Sequence, residues 1–377
     1  MIDCDNLEER GNMIIPRQST FYDKRFQAFQ ELGAQGKAHG SLMVGQISHP
    51  GRLAYSRLQK TPISASNVLV QGSLEIFKTK EIADAIFTYA QPHAASQEEI
   101  DDIIEGFAHA AEFLEKAGWD GIQLQGAHGF LLSQFFSSVT NLRTDKYGGS
   151  IQNRIRLIVE IADECRRRVS PSFIIGIKIN SVDFQNGFSV EEVRVLCETL
   201  EAAQFDYVEL SGGSVETGYA EVSGNKRDST IQRESFFLVF AEEIVKPLTR
   251  TKAYVTGGFK TVGGMIDALR TVDGIGIVRA ACQEPRLPNS ILNGNITGTI
   301  KRLLDDHHWG ITTVAAGSQI KQIGKDEEPF DQSVPANSDS FLRDFEVFMG
   351  TFGKEMDQNK YGFLDLSQPA KPYGVLV

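Results

Sequence analysis

Apolar residues recur along the chain with two periods, and the two alternate. Phe26, Phe29, Leu32 and Ala38 fall on one side of a helix predicted over 23–39, and Ser41–Ile47 follows as a buried strand. From 53 to 92 no period holds. Breaks at Thr61-Pro62 and Gln71-Gly72 make this stretch an irregular excursion that can carry a short hairpin. Ile100, Ile103, Ile104, Phe107, Ala111 and Leu114 define a helix over 96–118, opened by a Ser96/Glu99 capping box and stopped at Gly118. A strand over 120–125, a helix over 150–169 and a strand over 173–179 follow, then a helix from the Ser189/Glu192 box to Ala203. The pattern goes on with a strand over 206–210, a polar loop over 214–230 and a helix over 234–245. Next come a strand over 253–256, a helix over 262–269, a strand over 274–278 and a short helix over 288–292. The tail has two helix candidates, 299–306 and 340–352, with a polar loop between them.

Strands alternating with helices at about 40-residue spacing predict parallel β/α units, the α/β class. Six strands are legible, near 41, 120, 173, 206, 253 and 274. A TIM (β/α)8-type barrel needs eight. An open six-stranded sheet is the structural alternative, with exposed edges that invite aggregation.

At 377 residues the chain has room for a large core, and 41% hydrophobic with 23% charged residues is ordinary for a globular protein. A net charge of -11 offers no basic field for a nucleic-acid backbone. The four cysteines, Cys4, Cys165, Cys197 and Cys282, have no CxxC spacing, which points to reduced thiols rather than a zinc site or a disulfide framework. No apolar run reaches the roughly 18 residues of a membrane span, and no signal peptide opens the chain. These features together predict a cytoplasmic enzyme with no membrane partner.

In a TIM barrel the chemistry sits at the C-terminal ends of the strands. There, Gln125 and His128 lie three positions apart at and just past the end of the strand over 120–125. The two can aim N–H groups at a carbonyl oxygen gaining negative charge, or simply cap the strand–helix turn. Gln46 ends the first legible strand; its amide presents donor and acceptor together, or pairs with strand backbone. Lys178 stands in an otherwise apolar strand and needs a partner, either a ligand or a carboxylate such as Glu209. Gly257-Gly258 and Arg279 follow the last two strands, where backbone N–H groups and a guanidinium suit a phosphate. No G-x-G-x-x-G follows a strand, and His49 and His128 have no carboxylate at metal-ligand spacing.

The stretch from Trp119 to Arg154 resembles the Old Yellow Enzyme family of FMN-dependent ene-reductases (NADH:flavin oxidoreductases). The likeness rests on the strand, the Gln125-x-x-His128 turn, the start of the LLSQF helix, and the block Asn141, Arg143, Thr144, Asp145, Tyr147, Gly148, Gly149, Ser150, Asn153, Arg154, and it continues from Met1 to Leu292. The resemblance implies a TIM-type barrel over 1–297 binding FMN, with a helical extension over 298–377 packed on it. Met1–Asp3 matches the end of the second barrel strand, so the first strand and most of the second are expected to be missing. By the same likeness Gln46 and Lys178 face the flavin, Lys178 beside N1–C2=O, while Gly257, Gly258 and Arg279 hold its phosphate. NAD(P)H would reduce FMN by stacking on it, and hydride would pass to the β-carbon of an α,β-unsaturated carbonyl compound held by Gln125 and His128. Three positions depart from the family: Gln125 replaces its first histidine, Phe130 the tyrosine that gives a proton, and Val278 the glycine before Arg279. These departures keep two rivals open, a catalytically silent barrel with a binding or regulatory role, and a lyase or isomerase using Lys178 as base or Schiff-base amine.

Overall fold

A computed structural model describes residues 1–2, 7–8, 11–70, 88–180, 189–212, 241–242, 245–306, 308–352 and 362–374. Six parallel strands make one sheet: β1 (Val44–Ile47), β4 (Gly121–Gly126), β5 (Ile174–Asn180), β6 (Tyr207–Ser211), β7 (Lys252–Thr256) and β8 (Gly274–Gly276), paired in that order. Two short strands, β2 (Ile63–Ser64) and β3 (His93–Ala94), pair beside it. Sequential parallel strands, with a helix after each of several, form the β/α progression of a TIM-type barrel. Among the described residues β1 and β8 stand at the ends of the sheet. Ile2, which is buried, donates its N–H to Ser48 O just past β1 at 3.1 Å. The first two residues therefore lie against the tip of β1, where the end of a neighbouring strand is expected; Asp3 is outside the described residues.

The sheet has two chemically different faces because side chains alternate along each strand. Ile122, Leu124, Ile175, Ile177, Ile179, Val208, Leu210, Ala253 and Val255 are all buried on the face covered by helices. The helices Gln97–Lys116 and Arg156–Arg168 contribute Phe107, Ala111, Leu114, Ile158, Ile161 and Cys165 to the same core. Capping boxes at Ser96/Glu99 and Ser189/Glu192 fix two of the helix starts, as the sequence predicts. The other face carries Gln46, Gln123, Gln125, Lys178, Tyr207, Glu209 and Tyr254. Large rings are accommodated there by glycines. A Cβ on Gly176 would lie 2.2 Å from the Tyr207 ring, and one on Gly274 would lie 2.3 Å from that of Tyr254. The two tyrosines meet edge to face with centroids 5.4 Å apart.

Several expectations are corrected. The 150–169 helix is two, Ile151–Arg154 and Arg156–Arg168, because the chain tightens at Ile155 while buried Arg154 reaches back to Phe136 O. Segment 299–306 is not helical; its backbone bonds elsewhere, with Thr299 N to Lys260 O, Ile300 N to Glu284 Oε2 and Leu303 N to Gln332 O. The helix of this region is Trp309–Ile323, inside the stretch expected to be a loop, and the last helix starts earlier than expected, at Pro335. The excursion over 53–92 contains β2, which pairs in parallel with β3 just beyond it, and an antiparallel Tyr55–Tyr89 bridge; residues 71–87, where a hairpin could lie, are outside the described residues. The loop over 214–230 lies outside the described residues, as does most of the helix over 234–245. Residues beyond 298 build a second apolar cluster of Leu304, Ala315, Phe330, Phe341, Phe345 and Leu364.

Candidate active site

The polar face becomes a site at the C-terminal ends of β4, β5 and β6. After Gln125 the chain turns through Gly126 and Ala127 into His128 and Gly129, both with positive φ, 59° and 84°. A histidine pays a steric cost in that conformation. The turn is held by Asn180 at the end of β5, whose Oδ1 accepts the His128 N–H at 2.6 Å. The His128 ring then spans the tips of two strands. Its Nδ1 lies 3.4 Å from Gln125 Nε2 and its Nε2 lies 3.1 Å from Ser211 Oγ, at the end of β6. With the Gln125 amide donating to Nδ1, the ring proton sits on Nε2 and faces Ser211. Burial, and next the positive charge of Lys178, lower the imidazole to about 4 against an opposing pull from Glu209. His128 is therefore neutral near pH 7. The predicted Gln125–His128 pair does converge, and it does so with Ser211 and Asn180.

On the same face, four side chains form a continuous chain. Gln46 Nε2 donates to Gln123 Oε1 at 2.7 Å, Gln123 Nε2 donates to Glu209 Oε2 at 2.6 Å, and Glu209 Oε1 pairs with Lys178 Nζ at 2.9 Å. Lys178 and Glu209 sit directly opposite one another in the β5–β6 register, as Gln46 and Gln123 do in β1–β4. Burial alone would raise the Glu209 carboxyl; the Lys178 ammonium, then the hydroxyl of Thr256 and the amide of Gln123, outweigh it, so the group stays below its ordinary value. Lys178 thus has the carboxylate partner that the sequence offered as one of its two explanations. That ion pair also occupies the amine which a Schiff-base lyase would need as a nucleophile.

The remaining predicted residues lie at neighbouring positions. Phe130 caps the helix Leu131–Phe136 and is partly buried, bringing a ring and no proton to the turn. Gly257 and Gly258 leave β7 with φ of 133° and 79°. Arg279 follows β8, and its Nη1 donates to Thr312 Oγ1 at 2.7 Å and lies 3.8 Å from Asp306. Asp306 also pairs with Lys260 at 2.6 Å and Arg302 at 2.9 Å. The guanidinium is thus tied to the C-terminal segment, a contact the sequence did not suggest. Val278 is 58% exposed.

Sequence reasoning gave Gln123, Asn180 and Ser211 no role in the site. A signal was present: polar residues two apart at strand ends, Gln123/Gln125, Lys178/Asn180 and Glu209/Ser211, share a face by the two-residue period. It also missed Gln134, whose amide donates to Pro50 O and Gly129 O and accepts from Arg52 N and Ser64 Oγ. This buried side chain ties the loop after β1 to the turn bearing His128. The block after Asn141 is a structural clamp. Arg143 donates to Ala65 O and Ala95 O, and Asn141 donates to Tyr147 O.

The profile of the NADH:flavin oxidoreductase / NADH oxidase family matches residues 2–295. The chain is 45% identical over 378 residues to the NADH-dependent flavin oxidoreductase nadA of Aspergillus parasiticus, covering 100% of this chain and 82% of that protein. It is 31% identical over 268 residues to the NADH-dependent flavin oxidoreductase iccE of Talaromyces variabilis, covering 67% of this chain and 63% of the relative. Among solved structures, the old yellow enzyme homologue from Zymomonas mobilis superposes with TM-score 0.63 at 20% identity, over 81% of this chain and 80% of that one. Morphinone reductase in complex with tetrahydroNAD gives 0.57 at 22% identity, over 74% and 73%. These structural likenesses establish a shared fold.

Proposed function

The chain belongs to the NADH:flavin oxidoreductase / NADH oxidase family, and on that premise we propose that it uses NAD(P)H and bound FMN to reduce the C=C bond of α,β-unsaturated carbonyl compounds. The observation that carries the reading is the contact of Gln125 with a neutral His128 at the tip of β4, on the sheet face that also bears Lys178. The residues fit a flavin. Gln125 Oε1 is buried without a hydrogen-bond partner among the described residues, and Gln46 presents an exposed amide on the edge strand. Both, with the Lys178 ammonium, suit a ring edge that mixes N–H and carbonyl groups. At the tips of β7 and β8, the backbone of Gly257-Gly258 and the guanidinium of Arg279 suit the phosphate.

FMN supplies the hydride chemistry when bound, and the protein supplies orientation and electrostatics. His128 Nε2–H, exchanging Ser211 Oγ for the substrate, and the second N–H of the Gln125 amide would hold the substrate carbonyl oxygen and stabilise the charge that grows on it. As neutral donors they polarise that oxygen without protonating it. Phe130 walls the turn and has no proton to give, so the α-carbon takes its proton from water or another residue. The test is spectroscopic. Purified protein reconstituted with FMN should show flavin absorbance that NADH or NADPH bleaches and 2-cyclohexenone restores. Protein that binds no added FMN, or a reduced flavin indifferent to the enone, would defeat the proposal.

A further inference from the structure

The chain of four side chains below the His128 turn has a direction, and that direction is set at one end. An ionised carboxylate only accepts hydrogen bonds. Gln123 must therefore turn its NH2 group to Glu209, at 2.6 Å, which leaves its oxygen toward Gln46. Gln46 must in turn give an N–H to that oxygen, at 2.7 Å. A single negative charge two residues away thus fixes which way the Gln46 amide faces. The other oxygen of Glu209 meets Lys178 at 2.9 Å, with the two side chains only 16% and 12% exposed. At that burial water screens the pair weakly, so each charge is felt strongly by anything placed beside the other.

We infer that Glu209 is a positioning residue for the flavin site, orienting the Gln46 amide through Gln123 and setting, through Lys178, how much positive charge a bound flavin meets. The inference rests on the flavin reading above and goes beyond it by naming what tunes the flavin. The pyrimidine edge of a flavin places one N–H between two carbonyls, and an amide locked in one orientation recognises it better than one free to flip. The reduced ring is an anion, so its stability against the oxidised ring follows the net charge nearby. Glu209 holds that net charge close to zero by neutralising Lys178.

Two substitutions at the two ends of the pair make opposite predictions. In FMN-loaded Glu209→Gln, Lys178 is left unneutralised. Reduced FMN should then bind about tenfold more tightly relative to oxidised FMN, a rise of about 30 mV in the two-electron midpoint potential. In Lys178→Met the carboxylate is left alone, and the potential should fall by a similar amount. A merely structural role would move both variants the same way, and if either fails to fold, Glu209→Ala or Lys178→Gln takes its place at the same end of the pair. Gln123→Leu breaks the amide chain and keeps the ion pair, so it should raise the FMN dissociation constant about fivefold and leave the potential in place. Wild-type protein that binds no FMN overturns the flavin reading itself. Wild-type protein that binds FMN, with variants whose potentials stay put or shift in the same direction, overturns this inference alone.

Discussion

Asn180 Oδ1 accepts the backbone N–H of His128 at 2.6 Å and so pins a non-glycine residue at φ 59°. The imidazole carried by that turn is held neutral by burial, its pKa lowered from 6.5 to about 4. Between those values the unfolded chain binds more protons than the folded one, so stability rises with pH across that window and is lost as pH falls through it. Thermal melting should therefore shift downward on acidification from pH 6.5 toward pH 4, and His128→Gln should flatten that slope. Imidazole NMR titration checks the cause directly: a ring that titrates near 6.5 in the folded protein would refute it.

Arg279 separates the two parts of FMN. If its guanidinium holds the phosphate, Arg279→Ala should weaken FMN binding about tenfold to a hundredfold, the range for a lost charge-assisted hydrogen bond. Riboflavin, which has no phosphate, should bind both forms alike. Parallel fluorescence titrations give the answer, and equal losses for the two ligands would place the phosphate elsewhere.

Phe130 has no proton to give to a substrate at this turn. Phe130→Tyr brings a phenol to the same turn, and positioned acid catalysis contributes a hundredfold or more in favourable cases. A rise in 2-cyclohexenone turnover of about tenfold is the expected outcome in stopped-flow reoxidation. An unchanged rate in a variant that still carries flavin would show that protonation does not limit the reaction.

Gly51 sits at φ 59°, and a Cβ there would fall 2.3 Å from the Gln134 amide oxygen. Gly51→Ala meets both an unfavourable backbone and the side chain that ties four segments together. A loss of about 2 kcal/mol is expected in urea unfolding. Gln134→Leu should cost at least as much, since it strands buried donors and acceptors.

The strands and most helices were legible because their signals are local: apolar periodicity, capping boxes, glycine stops. Gln125, His128, Lys178 and Gln46 were legible as strand-tip residues for the same reason. The Lys178–Glu209 pair was visible only as one of two options, because a choice between carboxylate and ligand depends on register, which no single strand records. The contact of Arg279 with Thr312 joins residues 33 apart in sequence through a helix that its own sequence hid. Trp309–Ile323 carries Gly310, Thr312, Thr313, Gly317 and Ser318, all weak helix formers, and it is held by the apolar cluster around Phe341 rather than by its own propensity. Segment 299–306 shows the converse: a plausible helical pattern lost because its backbone groups and Asp306 serve other segments.

Asp306 is a junction of charges between the last strands and the C-terminal region. Its links to Lys260 and Arg279, together with the Arg286–Glu328 pair, bridge the region around the last strands to a body with an apolar centre of its own. Electrolyte weakens such bridges, with a screening length of about 10 Å at 0.1 M, and leaves oily packing intact or tighter. Added salt should therefore loosen these ionic bridges more than it loosens the apolar packing on either side of them.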